Sequence, residues 1–298
     1  MRTFVKAGIL FGLCLLCLGA SGLDKPTKPS TELNDVVYAR VGDRDLHMDI
    51  AVPEDGTQKP HPAVVWIHGG GWKAGSHKHN LARWLTDFGY VVASVEYRLS
   101  GEAKFPAQIT DCKAAIRFLR ANSRRYGIDP NRIGVWGGSA GGHLAALLGT
   151  TYGVKELEGN YGSKGFSSKV QAVCVFYGPC DLTLPIARDP AKKKPGPVAE
   201  LLGATPEEKP ELARLASPVF FVTKDDPPFL IVHGEMDPLV PIAQAEKMYE
   251  ALKKAGVDAT FIRVKNAGHG FDKPGIEPSW AEIMRSVREF FDRHLHNR

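Results

Sequence analysis

The chain has 298 residues, 43% of them hydrophobic and 24% charged, with a formal net charge of +5. This length accommodates one large α/β domain or two small ones. The composition excludes a disordered, collagenous or multi-span membrane protein, and so mild a positive excess gives no sign of a nucleic-acid partner.

At the N-terminus Arg2 and Lys6 precede an apolar run over residues 7–18, which is followed by Gly19-Ala20-Ser21-Gly22. This is the three-part layout of a secretory signal peptide, with cleavage expected between Ala20 and Leu23. The run is short for a membrane span, and no other stretch approaches ~20 apolar residues. A secreted or periplasmic protein without a stable membrane span in its mature form is therefore expected; an uncleaved N-terminal anchor is the alternative. Beyond the signal peptide stand Cys112, Cys174 and Cys180, an odd count that allows at most one internal disulfide. Cys112 falls in a helical pattern and reads as core. Cys174 and Cys180 can pair only if the five residues between them turn back sharply, so that question stays open.

Residues 23–34 are polar, contain two prolines, and read as a flexible leader. Two strand-like runs follow at 35–41 and 46–52, joined as a hairpin by Gly42-Asp43-Arg44-Asp45. The runs at 62–67, 90–95, 170–176 and 228–232 are apolar almost throughout, which suits central strands covered on both faces. Residues 259–264 alternate more and belong nearer an edge. Helical patterns lie between them at 80–88, 109–122, 140–148, 242–255 and 280–295. The fourth has Pro241 at its entry, Lys253 and Lys254 in its last turn and Gly256 just beyond, a well-marked start and stop. Alternating strands and helices predict an α/β domain over residues 35–298: a mostly parallel twisted sheet of about eight strands, with helices on both faces. Residues 181–227 interrupt the alternation. They read as a small cap over the carboxyl edge of the sheet, with Lys192-Lys193-Lys194 in a solvated loop and a short helical piece near 206–215.

Gly137-Gly138-Ser139-Ala140-Gly141 is a G-x-S-x-G sequence between an apolar run, residues 132–136, and strong helix formers. That context describes a sharp strand-to-helix turn that lifts a serine oxygen into a cleft beside a helix N-terminus. Alone the motif is weak, since chance supplies it in roughly one chain in ten of this length. His68-Gly69-Gly70-Gly71-Trp72 is far more specific. Its glycines leave backbone N–H groups free to face a ligand, so Gly70, Gly71 and Ala140 are the candidate donors to an oxyanion. His68 reads as a brace for this loop, and the spacing does not match a dinucleotide-binding loop.

A serine hydroxyl needs a base, and the base needs an acid to orient it. In this topology the order along the chain is serine, acid, histidine. Strand 228–232 leads into a loop holding Glu235 and Asp237, of which Asp237 is the preferred acid. Strand 259–264 leads into Gly268-His269-Gly270, where an exposed imidazole is wanted. Asp272 is too close in sequence to His269 to approach it from behind. His143 shares a helix with Ser139, His233 ends a strand and reads as a core group, and His47, His61, His77 and His79 precede the serine. No metal site or cofactor is indicated: there is no H-E-x-x-H, no cysteine pair at finger spacing and no calcium loop. Trp72, Tyr97, Tyr177 and Phe271 are candidates to line a substrate pocket, with packing in the core as the alternative for each.

With these motifs in hand, and with Asp237-Pro238-Leu239-Val240-Pro241, the chain resembles the α/β-hydrolases over roughly residues 35–296. Within them it is similar to exported bacterial esterases such as feruloyl and acetylxylan esterases. The segment 106–119 with Asp111, and Asp129-Pro130-Asn131-Arg132, share that likeness. Gly138 departs from the hormone-sensitive-lipase-like esterases, which usually carry aspartate there. The resemblance implies Ser139 as nucleophile, Asp237 and His269 as its partners, and Gly70, Gly71 and Ala140 as oxyanion donors. It implies a secreted serine carboxylesterase acting on short-chain acyl or aromatic esters, its substrate a small ester or an acylated polysaccharide. A peptidase or arylformamidase would use the same residues, and a non-catalytic binding protein on this fold is the remaining alternative.

Overall fold

The structure is a computed structural model and describes residues 27–184, 186, 196–271 and 273–296. The expected signal peptide and the lysine run at 192–194 lie outside the described residues. Eight strands form one sheet: β1 (Ser30–Val41), β2 (Arg44–Pro53), β3 (His61–Ile67), β4 (Val91–Val95), β5 (Ile128–Gly138), β6 (Ala172–Phe176), β7 (Phe229–Gly234) and β8 (Ala259–Val264). Their spatial order is β1-β2-β4-β3-β5-β6-β7-β8. The hairpin β1–β2 and the pair β2–β4 are antiparallel, and every other neighbour is parallel. The mostly parallel sheet is the one expected from the alternation of elements and the α/β-hydrolase arrangement is the one the resemblance implies, with β8 at one edge and the hairpin at the other.

Helices α1 (Ala107–Ala121), α2 (Ala140–Thr150), α3 (Lys155–Glu158), α4 (Pro197–Leu202), α5 (Pro210–Leu215), α6 (Ala243–Lys254) and α7 (Trp280–Phe291) complete the fold. Side chains alternate across each strand. Ala63, Val65 and Ile67 of β3 therefore enter a core with Ile109 and Ile116 of α1, Leu144 and Leu148 of α2 and Met248 of α6. Val64 and Trp66 enter the opposite core, with Trp84 and with Ile283, Val287 and Phe291 of α7. β3 is buried along its whole length, as its unbroken apolar run requires. Among the described residues no helix is long and apolar enough to cross a membrane.

Three details differ from expectation, and one open question closes. The leader was expected to extend to residue 34, but β1 begins at Ser30, whose neighbours to Leu33 pair with Ile50–Pro53 of β2. Backbone pairing holds this polar edge, and few of its side chains are buried, so no hydrophobic period marks it. The segment 80–88 forms only a short 3-10 helix, Arg83–Phe88, ended by Gly89 at a φ of 79°. α7 stops at Phe291 and continues as a π-helical turn, Asp292–His296. Finally, Cys112, Cys174 and Cys180 are all free thiols. Cys174 points into the core beneath α7 and Cys180 into the other one, so the sheet separates the pair.

The cap contains α4, α5 and a 3-10 turn, Pro218–Phe221. It is tied down on the glycine-rich loop after β3. Lys73 Nζ lies 3.1 Å from a Glu200 carboxylate oxygen, and Lys104 Nζ donates to the Glu200 carbonyl. Asp111 is buried at the start of α1 and accepts two hydrogen bonds from the Arg98 guanidinium, which fastens the chain after β4 to that helix.

Candidate active site

The last turn of β5 and the start of α2 place Ser139 at φ 55°, ψ −120°, a strained backbone conformation for a residue with a side chain. Its N–H donates to the carbonyl of Phe176 at the end of β6 (2.9 Å). The flanking glycines are required by contact. A Cβ on Gly137 would stand 2.2 Å from the carbonyl oxygen of Gly141, and one on Gly141 would stand 2.0 Å from that of Ile67. The serine turn is thus wedged directly against the end of β3.

Two further loops bring their side chains to this serine. His269, in the loop after β8, has Nε2 2.9 Å from Ser139 Oγ and donates through Nδ1 to Asp237 Oδ2 at 2.7 Å. Asp237 stands on the turn after β7, and its side chain is fully buried. The backbone N–H groups of Leu239 and Val240 both donate to its Oδ1 at 2.9 Å. Burial alone would raise its pKa. The His233 N–H beside it, the hydrogen bond from His269, the charge of His269 and the Val240 amide together hold the carboxyl well below the usual carboxylate range. The two loops fit closely, since Met236 N–H donates to the Ala267 carbonyl and a Cβ on Gly234 would lie 2.5 Å from that oxygen. Glu235, the other acid on this turn, is exposed, and Asp272 lies outside the described residues.

The glycine loop passes across the serine. A Cβ on Gly69 would meet the Gly138 carbonyl at 2.9 Å and the Ser139 Cβ at 3.3 Å. Gly70 and Gly71 adopt φ values of 105° and 60°, which glycine reaches without penalty. Among the described residues no protein acceptor takes the N–H of Gly70, Gly71 or Ala140. These three donors remain available to a ligand beside Ser139.

Of the four aromatic residues considered for a pocket, only Tyr177 stands at this site. Its ring meets His269 edge-on at 4.6 Å, and its hydroxyl lies 3.2 Å from where a Cβ on Gly138 would be. Trp72 and Tyr97 are buried and brace the glycine loop instead. Tyr97 stacks on His68 at 4.3 Å and donates to its carbonyl. Trp72 Nε1 donates to His143 Nδ1 at 3.1 Å. Phe271 is buried against Phe176, Tyr177 and Trp280. Large aromatic surfaces gain more from burial than from waiting at a cleft.

His68 and His143 serve as neutral braces. His68 Nδ1 donates to the Gly69 carbonyl, and His143 Nε2 donates to that of Ala216 at 2.6 Å. Burial lowers the pKa of each to about 4. Both folded values lie below the unfolded value of 6.5. Between those limits the unfolded chain binds the proton first, so the stabilisation is complete above pH 6.5 and is lost as pH falls towards 4. Each histidine then costs about 3 kcal/mol on acidification. His143→Gln keeps an acceptor for Trp72 and a donor for Ala216 but does not titrate. Urea midpoints measured from neutral to acid pH should fall less steeply in the variant, and an unchanged slope would show that His143 is not held neutral.

One group of metal-ligating residues occurs among the described residues: Asp35, Asp49 and His77 on the β1–β2 side of the sheet. Lys78 Nζ already lies 2.8 Å and 2.9 Å from the two carboxylates, so an ammonium balances their charge there.

The chain as a whole is similar to known proteins in sequence and in fold. The sequence model of the family described as BD-FAE matches residues 48–252. A solved structure described as a truncated carbohydrate esterase from gut microbiota superposes with a TM-score of 0.78 at 34% identity, covering 89% of this chain and 96% of that one. A bifunctional GH43-CE protein of Bacteroides eggerthii gives 0.77 at 36% identity, over 88% of this chain and 38% of that one. Esterase LipC of Mycobacterium tuberculosis is 33% identical over 229 residues, 76% of this chain and 57% of LipC. The chain thus spans well under two thirds of that relative, and likewise 58% of esterase LipQ of the same organism. With the family match extending from β2 into α6, across the serine turn and the acid, the chain belongs to the BD-FAE family.

Proposed function

We propose that this protein is a serine carboxylesterase, and the continuous hydrogen-bonded chain Ser139–His269–Asp237 is the observation that carries the reading. Ser139 Oγ attacks an ester carbonyl carbon while its proton passes to His269 Nε2. Asp237 keeps the imidazole proton on Nδ1 and stabilises the imidazolium. The carbonyl oxygen becomes an oxyanion held by the N–H groups of Gly70, Gly71 and Ala140; each such donor is worth roughly 3 kcal/mol. The intermediate collapses, the C–O bond to the alcohol breaks, and His269 returns its proton to the departing oxygen. Water then attacks the acyl-enzyme, again through His269, and releases the acid and free Ser139.

The preferred substrates are short-chain acyl or aromatic esters, including feruloyl and acetyl groups on plant polysaccharides. Tyr177 crowds His269, and Pro197 of the cap approaches within 3.4 Å of where a Cβ on Gly71 would be; both narrow the room for a long acyl chain. Structural relatives support the same substrate class. One is described as a carbohydrate esterase, and esterase 2 of Thermogutta terrifontis, 28% identical, has a structure with butyrate bound. The signal-like N-terminus supports action outside the cytoplasm, where such polymers are met. Initial rates on nitrophenyl acetate, butyrate and octanoate, beside methyl ferulate and acetylated xylan, test the reading. Acetate and butyrate should exceed octanoate in kcat/KM by about tenfold or more, a difference of one to two kcal/mol in pocket fit. Preference for octanoate would place the enzyme with lipolytic esterases instead.

A further inference from the structure

We propose that His233 is a positioning residue for the esterase reaction: a second imidazole on Asp237 that fixes the carboxylate and moderates its pull on His269. The proposal rests on the hydrolase reading above. His233 is the penultimate residue of β7, fully buried, and stands four residues before Asp237. Its Nε2 lies 2.8 Å from the carbonyl oxygen of Val240. A carbonyl only accepts, so this nitrogen carries the proton. The same Nε2 lies 3.4 Å from Asp237 Oδ2, the oxygen that accepts from His269 at 2.7 Å. Its N–H is donated to the Val240 carbonyl, and the positive edge of the ring stands beside the carboxylate oxygen without a full hydrogen bond to it.

Val240 is gripped at both ends, its N–H by Asp237 and its carbonyl by His233. The turn from β7 to Val240 is closed around the acid by these bonds. Asp237 Oδ1 is filled by the turn's own amides, and Oδ2 lies between two imidazoles. On its other side the His233 ring has nothing to gain from being polar. Nδ1 is buried and has no partner among the described residues, a cost that an apolar side chain would avoid. The polar ring is explained by its Nε2 contacts alone. The other groups around this centre are Ser139 and Tyr177, which both contact His269, and Glu235, which is exposed on the same turn. No lysine or arginine pairs with Asp237 among the described residues.

The test is the pH dependence of kcat/KM on nitrophenyl acetate for the full chain, compared with His233→Leu and His233→Gln. Without the N–H beside Oδ2, the carboxylate attracts the His269 imidazolium more strongly. The acidic limb of the leucine variant should move up by about half a pH unit or more. Glutamine restores an N–H near the Nε2 position and should return the limb towards wild type. If both variants keep the wild-type limb while losing stability equally, His233 only fills space and the proposal is overturned. Should the leucine variant fail to fold, His233→Asn, whose shorter amide does not reach both oxygens, takes its place; an unmoved limb there overturns the proposal as well. Failure of the esterase reading shows separately, as activity that survives Ser139→Ala.

Discussion

Ser139→Ala should lower kcat for nitrophenyl acetate by about 10⁴- to 10⁶-fold while leaving the urea midpoint close to wild type. The large kinetic effect follows from geometry. Ser139 Oγ lies 2.9 Å from an imidazole that is itself backed by a buried carboxylate. Stability should change little because the turn is held by backbone. Ser139 N–H donates to Phe176, and the glycines on either side are wedged against Ile67 and against each other. Residual rate would come from the oxyanion donors and from substrate binding, which survive the substitution. Paraoxon gives a second readout, since its activated phosphoryl ester is attacked by a serine hydroxyl whose proton a neighbouring imidazole removes, with nitrophenolate leaving. The wild-type chain should gain one diethylphosphoryl group by intact mass and the alanine variant none. A variant that keeps even a tenth of the wild-type rate would move the nucleophile elsewhere.

Much of the fold was legible because its central strands are covered on both faces and so must be apolar throughout. β3, β4, β6 and β7 all appear as runs that no surface element would tolerate. What failed to register lacked that cause. The first residues of β1 pair through backbone along a wet edge, where side-chain chemistry is free to look like a linker. The site was legible for a different reason: its residues follow strand ends in a fixed order, and glycines are forced wherever backbones touch. Gly137, Gly141 and Gly69 each stand where a Cβ would collide with a carbonyl oxygen or approach it within 3 Å. Aromatic roles were not legible in that way. Trp72 and Tyr177 both border motif residues, yet one is buried against His143 and the other stands beside His269. Only the direction in which each loop turns its side chains separates them. The sequence marks His233 as a core group, and it is buried. Its link to Asp237 depends on a turn that brings Val240 back over the ring, a distance that spacing alone does not supply.

The second large effect belongs to the acid. Asp237→Asn should reduce kcat near neutral pH by about 10⁴-fold, although the side chain keeps its shape. The amide oxygen of asparagine takes over the Leu239 and Val240 N–H groups, because an NH₂ pointed at two donors would repel both. Its NH₂ group then faces His269 Nδ1 and donates to it. That forces the imidazole proton onto Nε2, where it points at Ser139 and cannot accept the hydroxyl proton. The variant should fold, bind substrate with little change in KM, and react slowly for want of a base. Glu235→Gln provides the contrast. Glu235 is exposed on the same turn, so neutralising it should leave kcat within about twofold, as for a surface change outside the catalytic chain. Were the two variants equally impaired, the acid would be supplied by the turn's overall charge and not by the one carboxylate aligned with His269. A loss confined to Glu235→Gln would instead require the loop after β7 to rearrange in solution, bringing the exposed carboxylate inward and displacing Asp237 from the two amides that hold it.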